Sequence, residues 1–223
     1  MVDKGQVAYE AIKKKIISGE LAPLADISEK KLQEELGTSR TPIHEAIARL
    51  RKENFVLTFP RKGTIVADLT LDTVRAVYEM RLLNEPHLTR KNMERIPREW
   101  LEDILFRLEH WPEELELAEK NAYFQELDSE LHSTIISYVD NVFLRNGLQN
   151  VYDHDQRIRI KRRKTPARLE QINVSRQEHV AIVRALLSGD GELVEKVVAL
   201  AKLLGREIAT PDEARRILGL KQS

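Results

Sequence analysis

The chain has 223 residues, carries no cysteine, and balances 36 Lys/Arg with 36 Asp/Glu for a net charge of zero. That length has room for one small and one medium domain, and the missing cysteine excludes a disulfide framework or a thiolate metal site and fits a reducing cytoplasm. No apolar run approaches a membrane span and no charged-then-apolar leader opens the chain, so no membrane partner is expected. The zero hides an asymmetry: residues 1–66 hold 12 Lys/Arg and 9 Asp/Glu, net +3, which leaves residues 67–223 at −3. A basic front end agrees with a nucleic-acid partner without proving one.

Residues 7–18 set Val7, Ala8, Ala11, Ile12, Ile16 and Ile17 on one helical face, which Gly19 closes. Residues 28–53 read as two helices joined by the turn Gly37-Thr38-Ser39-Arg40. Leu32 and Leu36 mark the buried side of the first; Ile43, Ala46, Ile47 and Leu50 mark that of the second. Gly37 sits where a helix end needs positive φ, Thr38 or Ser39 can cap the next helix, and Pro42 falls where a helix start accepts it. A helix-turn-helix presents the start of its second helix to base edges in the major groove. Arg40 is therefore the expected guanine reader, and Ser39, Thr41, His44 and Arg49 are the further DNA-contact candidates on that element.

Residues 55–59 and 64–66 are short apolar, strand-like runs around the basic turn Pro60-Arg61-Lys62-Gly63. This is the pattern of a two-stranded wing, with Arg61, Lys62 and Gly63 at the tip and two cations for phosphates or the minor groove.

From Asp68 the apolar period becomes helical and stays so. A helix from residue 70 towards 91 has Val74, Val77, Tyr78, Arg81, Leu82 and Glu85 on or near one stripe, and Pro86 is expected to kink it or end its first half. Further helices are expected over 97–109, 113–139, 142–163, 174–187 and 192–208, with a short last one from Thr210-Pro211-Asp212-Glu213 to Leu218. The fold class is thus mainly α: a winged helix-turn-helix over 1–69, then an all-α bundle of six to seven helices over 70–223.

Inside the bundle, Asp128 and His132 are four apart and share a helix face, and His179 lies on a later helix. One Asp and two His can hold Zn²⁺, Ni²⁺ or Mn²⁺ with positions open to water or a ligand; chance spacing of ordinary core histidines is the competing account. Arg81, a cation on an apolar stripe, either pairs with Glu85 or clamps the carboxylate of a small effector. Arg157 and Arg159 either serve likewise as carboxylate clamps or form a solvated face; the run Lys161-Arg162-Arg163-Lys164 reads as cations suited to a helix C-terminus, with secondary DNA contact as the alternative, and His87, His110 and His154 as surface or core.

Residues 7–67 resemble the DNA-binding domain of the GntR family of bacterial transcription regulators. The resemblance rests on Ile17-Ser18-Gly19-Glu20-Leu21-Ala22-Pro23, on Ser28-Glu29-Lys30-Lys31-Leu32, on the run from Leu36 to Ile47, and on the turn 60–63. Residues 70–208 are similar to the FadR-type, or FCD, effector domain. There the matches are Tyr78-Glu79-Met80-Arg81 with Glu85, Asp128-x-x-x-His132, Asp140-Asn141, Glu178-His179 and Ser188-Gly189-Asp190.

The resemblance implies a homodimer paired through its effector domains, a near-palindromic double-stranded DNA operator, and a small organic acid effector held near Arg81, Asp128, His132 and His179. It implies no enzymatic activity. Where the family usually carries arginine against DNA, Arg40 keeps one position, Lys30 stands at the second and His44 at the third. Lysine lacks the bidentate fork and histidine cannot copy an arginine–guanine pair, so an operator of altered specificity is expected, the alternatives being that His44 contacts only the backbone or that binding is weak. The family's fourth metal ligand, a histidine 22 residues beyond His179, falls on Ala201. The remaining three residues are either a three-ligand divalent metal site or the lining of an organic-ligand pocket. The alternative from another class, a metal-dependent hydrolase or ligand carrier, lacks a nucleophile–base pair and a phosphate loop. Residues 210–223 lie past the resemblance.

Overall fold

A computed structural model describes residues 3–112, 114–162 and 169–204. Helix α1 (Lys4–Ser18) starts where the Asp3 carboxylate accepts from the Gly5 N–H at 2.9 Å and ends at Gly19, whose φ of 79° is left-handed. The two-residue strand β1 (Asp26–Ile27) leads into α2 (Glu29–Leu36), capped by the Ser28 hydroxyl. Gly37, at φ 58°, turns the chain into α3 (Arg40–Lys52). Strands β2 (Val56–Phe59) and β3 (Gly63–Val66) pair antiparallel with Leu57 opposite Ile65, and β1 adds to the other side of β3. Strand β1 has no reading in the sequence, because two residues carry no period.

Ile12, Ile43, Leu50, Phe55 and Val56 are fully buried and form the core of this head. Ser39 occupies the cap position of α3 but makes no side-chain capping bond. Arg61 holds a left-handed φ of 62° at the wing tip, beside Gly63 at 110°.

Ala67–Leu69 joins the head to α4 (Leu71–Asn92), capped by Thr70. Pro86 lies inside α4, which runs on to Asn92, so of the two expected outcomes it does not end the helix. A 3₁₀ turn (Met93–Arg95) leads to α5 (Arg98–Glu109) and α6 (Leu117–Ser137). Helix α6 starts four residues later than the pattern suggested, because Glu116 and Glu119 form a reciprocal capping box. Then come α7 (Val142–Arg162), α8 (Leu169–Ser188) and α9 (Gly191–Leu204). Helix α8 begins earlier than residue 174 because Ile172 already packs into the core.

Ile104, Leu108, Leu131, Val183 and Val194 are the fully buried centre of the bundle. On α4 the stripe departs from expectation at Leu82, which faces solvent, whereas Arg81 is 1% exposed. No helix among the described residues is long and apolar enough to cross a membrane. The expected helix at 210–218, the segment 210–223, and Arg163 with Lys164 lie outside the described residues.

Candidate functional site

The candidate side chains lie in two places, one exposed on the head and one buried in the bundle. On the head, the start of α2 places Lys30 in solvent and the start of α3, with the turn before it, places Ser39, Arg40, Thr41 and His44 there. Glu29, the first residue of α2, lies between two of them: its carboxylate is 3.7 Å from Arg40 Nε and 3.9 Å from His44 Nδ1. Arg61, Lys62 and Gly63 are exposed at the wing. Arg49 is placed differently from the others. It stacks its guanidinium over Tyr9 at 3.6 Å, donates to Gln6 Oε1 at 2.8 Å, and pairs with Glu53 at 3.2 Å. These partners hold it against α1 and the end of α3, with half of its side chain still in solvent.

In the bundle, α6 and α8 bring Asp128, His132 and His179 together, all buried. His179 Nε2 is 3.0 Å from Asp128 Oδ1 and 3.3 Å from His132 Nε2, and His132 Nε2 is 3.7 Å from the same carboxylate oxygen. His179 Nδ1 faces the Ser175 carbonyl, a contact that orients the ring and turns its Nε2 towards the other two groups. Donors bound about 2.1 Å from one ion stand about 3.0–3.4 Å apart, so the donor set and two of its three spacings fit a divalent metal, and the 3.7 Å between His132 and Asp128 is a little wide. Phe124 meets His179 edge-on at 5.3 Å and Tyr152 lies 5.7 Å from His132, so aromatic rings wall the cluster.

The other Asp128 oxygen is held by Arg159 of α7. Arg159 also donates to Asp155 Oδ2 at 2.8 Å, and that same oxygen accepts from Arg81 Nη1, whose Nε in turn pairs with Glu85. The chain of charges thus runs Glu85, Arg81, Asp155, Arg159, Asp128. Burial opposes ionisation of Asp128, but Arg159, the His179 bond and the two imidazoles outweigh it and hold the carboxyl well below the ordinary range. Arg81 is therefore a strut between two protein carboxylates, and the Glu85 pairing weighed in the sequence is present. The solvated-face reading fails for both arginines of α7: Arg159 bonds Asp128 and Arg157 is buried. Asp155 and Arg159 are four apart, a spacing that could have flagged the pair.

Arg157, two residues from Arg159, points to the opposite side of α7, as helix geometry requires. It is 3% exposed and donates to the Ala67 carbonyl at 2.8 Å, below the head. Burial pulls its pKa down to about 10, with Asp68 opposing. His154 is buried beside it, stacked on Phe55 at 4.1 Å. Lys13 of α1 reaches across to Asp153 at 2.6 Å and to Glu53 at 3.0 Å. The sequence offered no sign of this seam, since it joins residues about a hundred positions apart. His87 and His110 are exposed, as expected for surface residues.

Comparison with known proteins matches residues 4–66 to the family model described as GntR, bacterial regulatory proteins, gntR family, and residues 76–200 to the FCD domain. The chain is 28% identical over 166 residues to the gluconate operon transcriptional repressor of Bacillus subtilis (strain 168), covering 70% of this chain and 66% of that one. A stretch of 52 residues is 58% identical to the 3-keto-5-aminohexanoate cleavage enzyme of Fusobacterium nucleatum, covering 23% of this chain and 19% of the enzyme. The chain spans less than two thirds of the length of either of these curated relatives. Among solved structures, E. coli McbR/YncC superposes with a TM-score of 0.70 at 19% identity over 92% of this chain and 95% of that one, which shows a shared fold.

Proposed function

The chain belongs to the gntR family of bacterial regulatory proteins and carries that family's FCD domain, and from this premise we propose that it is a transcription regulator whose hold on operator DNA is set by a small organic acid. The observation that carries the DNA-binding part is the solvent-facing set Lys30 at the start of α2 and Arg40 and His44 at the start of α3, together with the exposed cations of the wing tip. Arg40 supplies the base-reading fork, His44 replaces an arginine and alters the base preference, and Arg61 with Lys62 binds phosphate. Selection from a random duplex library, followed by anisotropy titration, tests this. An enriched near-palindrome is expected; recovery of no preferred sequence would sink the reading.

The effector part rests on the buried Asp128/His132/His179 cluster and its charged neighbours. Asp128 Oδ1 and the two Nε2 atoms would hold a divalent ion, Zn²⁺, Ni²⁺ or Mn²⁺, and that ion would supply Lewis-acid attraction for a carboxylate. Residue 201, where the family's fourth ligand would stand, is alanine, so the protein offers three ligands and leaves the remaining positions to the effector. Helix α7 connects the two functions, with Asp155 and Arg159 at the cluster and Asp153, His154 and Arg157 at the head. An effector that prefers one setting of α7 biases the head by that difference in affinity.

Pairing of two chains is supported by apolar side chains left in solvent on the bundle: Met80 and Leu83 of α4 and Phe143 of α7, the last 84% exposed. Sedimentation of the full chain checks it, with a dimer expected at micromolar concentration.

A further inference from the structure

The effector reading leaves the kind of acid open. A cavity of about 20 Å³ lies against one wall of the cluster and shares His132 with it. Most of its lining is aliphatic, including Leu88, Leu131, Ile135, Ile182 and Val198, and its polar lining is confined to Glu85, Thr89 and His132. Glu85 is paired with Arg81. The recess has room for about one or two carbon-sized groups. It offers little to a chain of hydroxyl groups, each of which would lose its water on entry.

At the cluster itself the two arginines differ in reach. Arg81 is 1% exposed, whereas the side chain of Arg159 is 25% exposed. Arg159 is thus the cation of this network that an entering carboxylate can meet. His132 belongs to both cluster and recess, so an occupant that meets the cluster and reaches past His132 into the recess is charged at one end and apolar at the other.

Resting on the effector reading above, we infer that the effector is a short monocarboxylic acid of about three or four carbons, its carboxylate at Arg159 and the Asp128/His132/His179 cluster and its apolar end in the recess. Sugar acids such as gluconate, and dicarboxylic acids, are the wrong class for this site.

Isothermal titration calorimetry of the full chain with acetate, propionate, butyrate and hexanoate, and with gluconate and succinate, tests the assignment. Affinity is expected to rise by about fourfold per methylene up to butyrate and to fall at hexanoate. Gluconate and succinate are expected to bind at least tenfold more weakly than butyrate. Ile135, a half-buried wall residue, allows changes of both signs: Ile135→Phe fills the recess and moves the optimum to shorter acids, and Ile135→Ala opens it and moves the optimum to longer ones. Flat chain-length dependence, or preferred binding of gluconate or succinate, overturns the assignment and leaves the effector reading standing. Absence of heat with every acid, while operator binding persists, overturns the effector reading and this assignment with it.

Discussion

His154 Nε2 of α7 lies 2.8 Å from the backbone carbonyl of Glu53, the residue that caps the recognition helix α3. The imidazole must donate there, and its Nδ1 faces an Arg157 Nη1–H at 3.4 Å, so this seam is built for the neutral ring. Lys13 reinforces it from α1. Burial opposes its charge, yet its bonds to Asp153, Tyr9 and Glu53 keep its pKa above the ordinary lysine value.

The neutral ring gives the seam a pH dependence of definite sign. Burial first, and Arg157 next, hold the pKa of His154 below its ordinary 6.5, against the Glu53 carbonyl. The unfolded chain therefore binds this proton more readily than the folded one, so the contribution is complete above pH 6.5 and is lost as pH falls below it. Thermal melts of the wild type are expected to drop between pH 7.5 and pH 5.5, and His154→Gln is expected to reduce that drop. Equal slopes in both proteins would remove His154 as the cause.

Arg40→Ala should lower specific operator affinity by about 1–3 kcal/mol and leave non-specific binding nearly unchanged. Replacing Arg61 and Lys62 by alanine together should act the other way. It should weaken binding to any duplex and reduce the slope of log K against log salt by about two. Anisotropy titrations over a range of salt separate these effects.

Arg81→Met should destabilise the fold by about 3–5 kcal/mol, because it leaves Glu85 and Asp155 buried without their shared cation. Urea unfolding measures it. A change below about 1 kcal/mol would mean that water or rearrangement reaches the network.

Metal content should separate the two accounts of the Asp/His/His cluster. Protein purified without chelator or nickel resin is expected to carry about one divalent ion per chain, and His132→Ala or His179→Ala is expected to lose it. A metal-free wild type whose melting point is unmoved by Zn²⁺, Ni²⁺ and Mn²⁺ would leave the three residues as pocket lining only.

How much of this was legible beforehand follows from what carries a period or a fixed spacing. The helix-turn-helix was readable because Gly37 and the apolar positions from Ile43 to Leu50 have one physical reading, and the observed α3 begins at Arg40 as that reading needs. The spacing of Asp128 and His132 also survived folding, as did the pairing of Arg81 with Glu85. The partners of Arg81 and Asp128 from α7 were invisible, since Asp155 and Arg159 are brought in by tertiary packing alone. Arg157 and Arg159 looked alike in sequence; only the rotation of α7 about its axis decides that one meets the head and the other the site. The partners of Arg49 on α1 were hidden for the same reason, its neighbour Tyr9 being forty residues away.

The link between head and bundle is three residues long, and two of them, Ala67 and Leu69, are buried. The Ala67 N–H donates to the Phe55 carbonyl at 2.9 Å and its own carbonyl accepts from Arg157. Such a joint is a rivet, not a tether. The head cannot be treated as an interchangeable cartridge: grafted onto another helical domain it would arrive with Lys13, Glu53 and Ala67 facing the wrong side chains. A working chimaera would have to carry Asp153, His154 and Arg157 across with it, so the natural boundary for recombination runs through α7 and not through the connector.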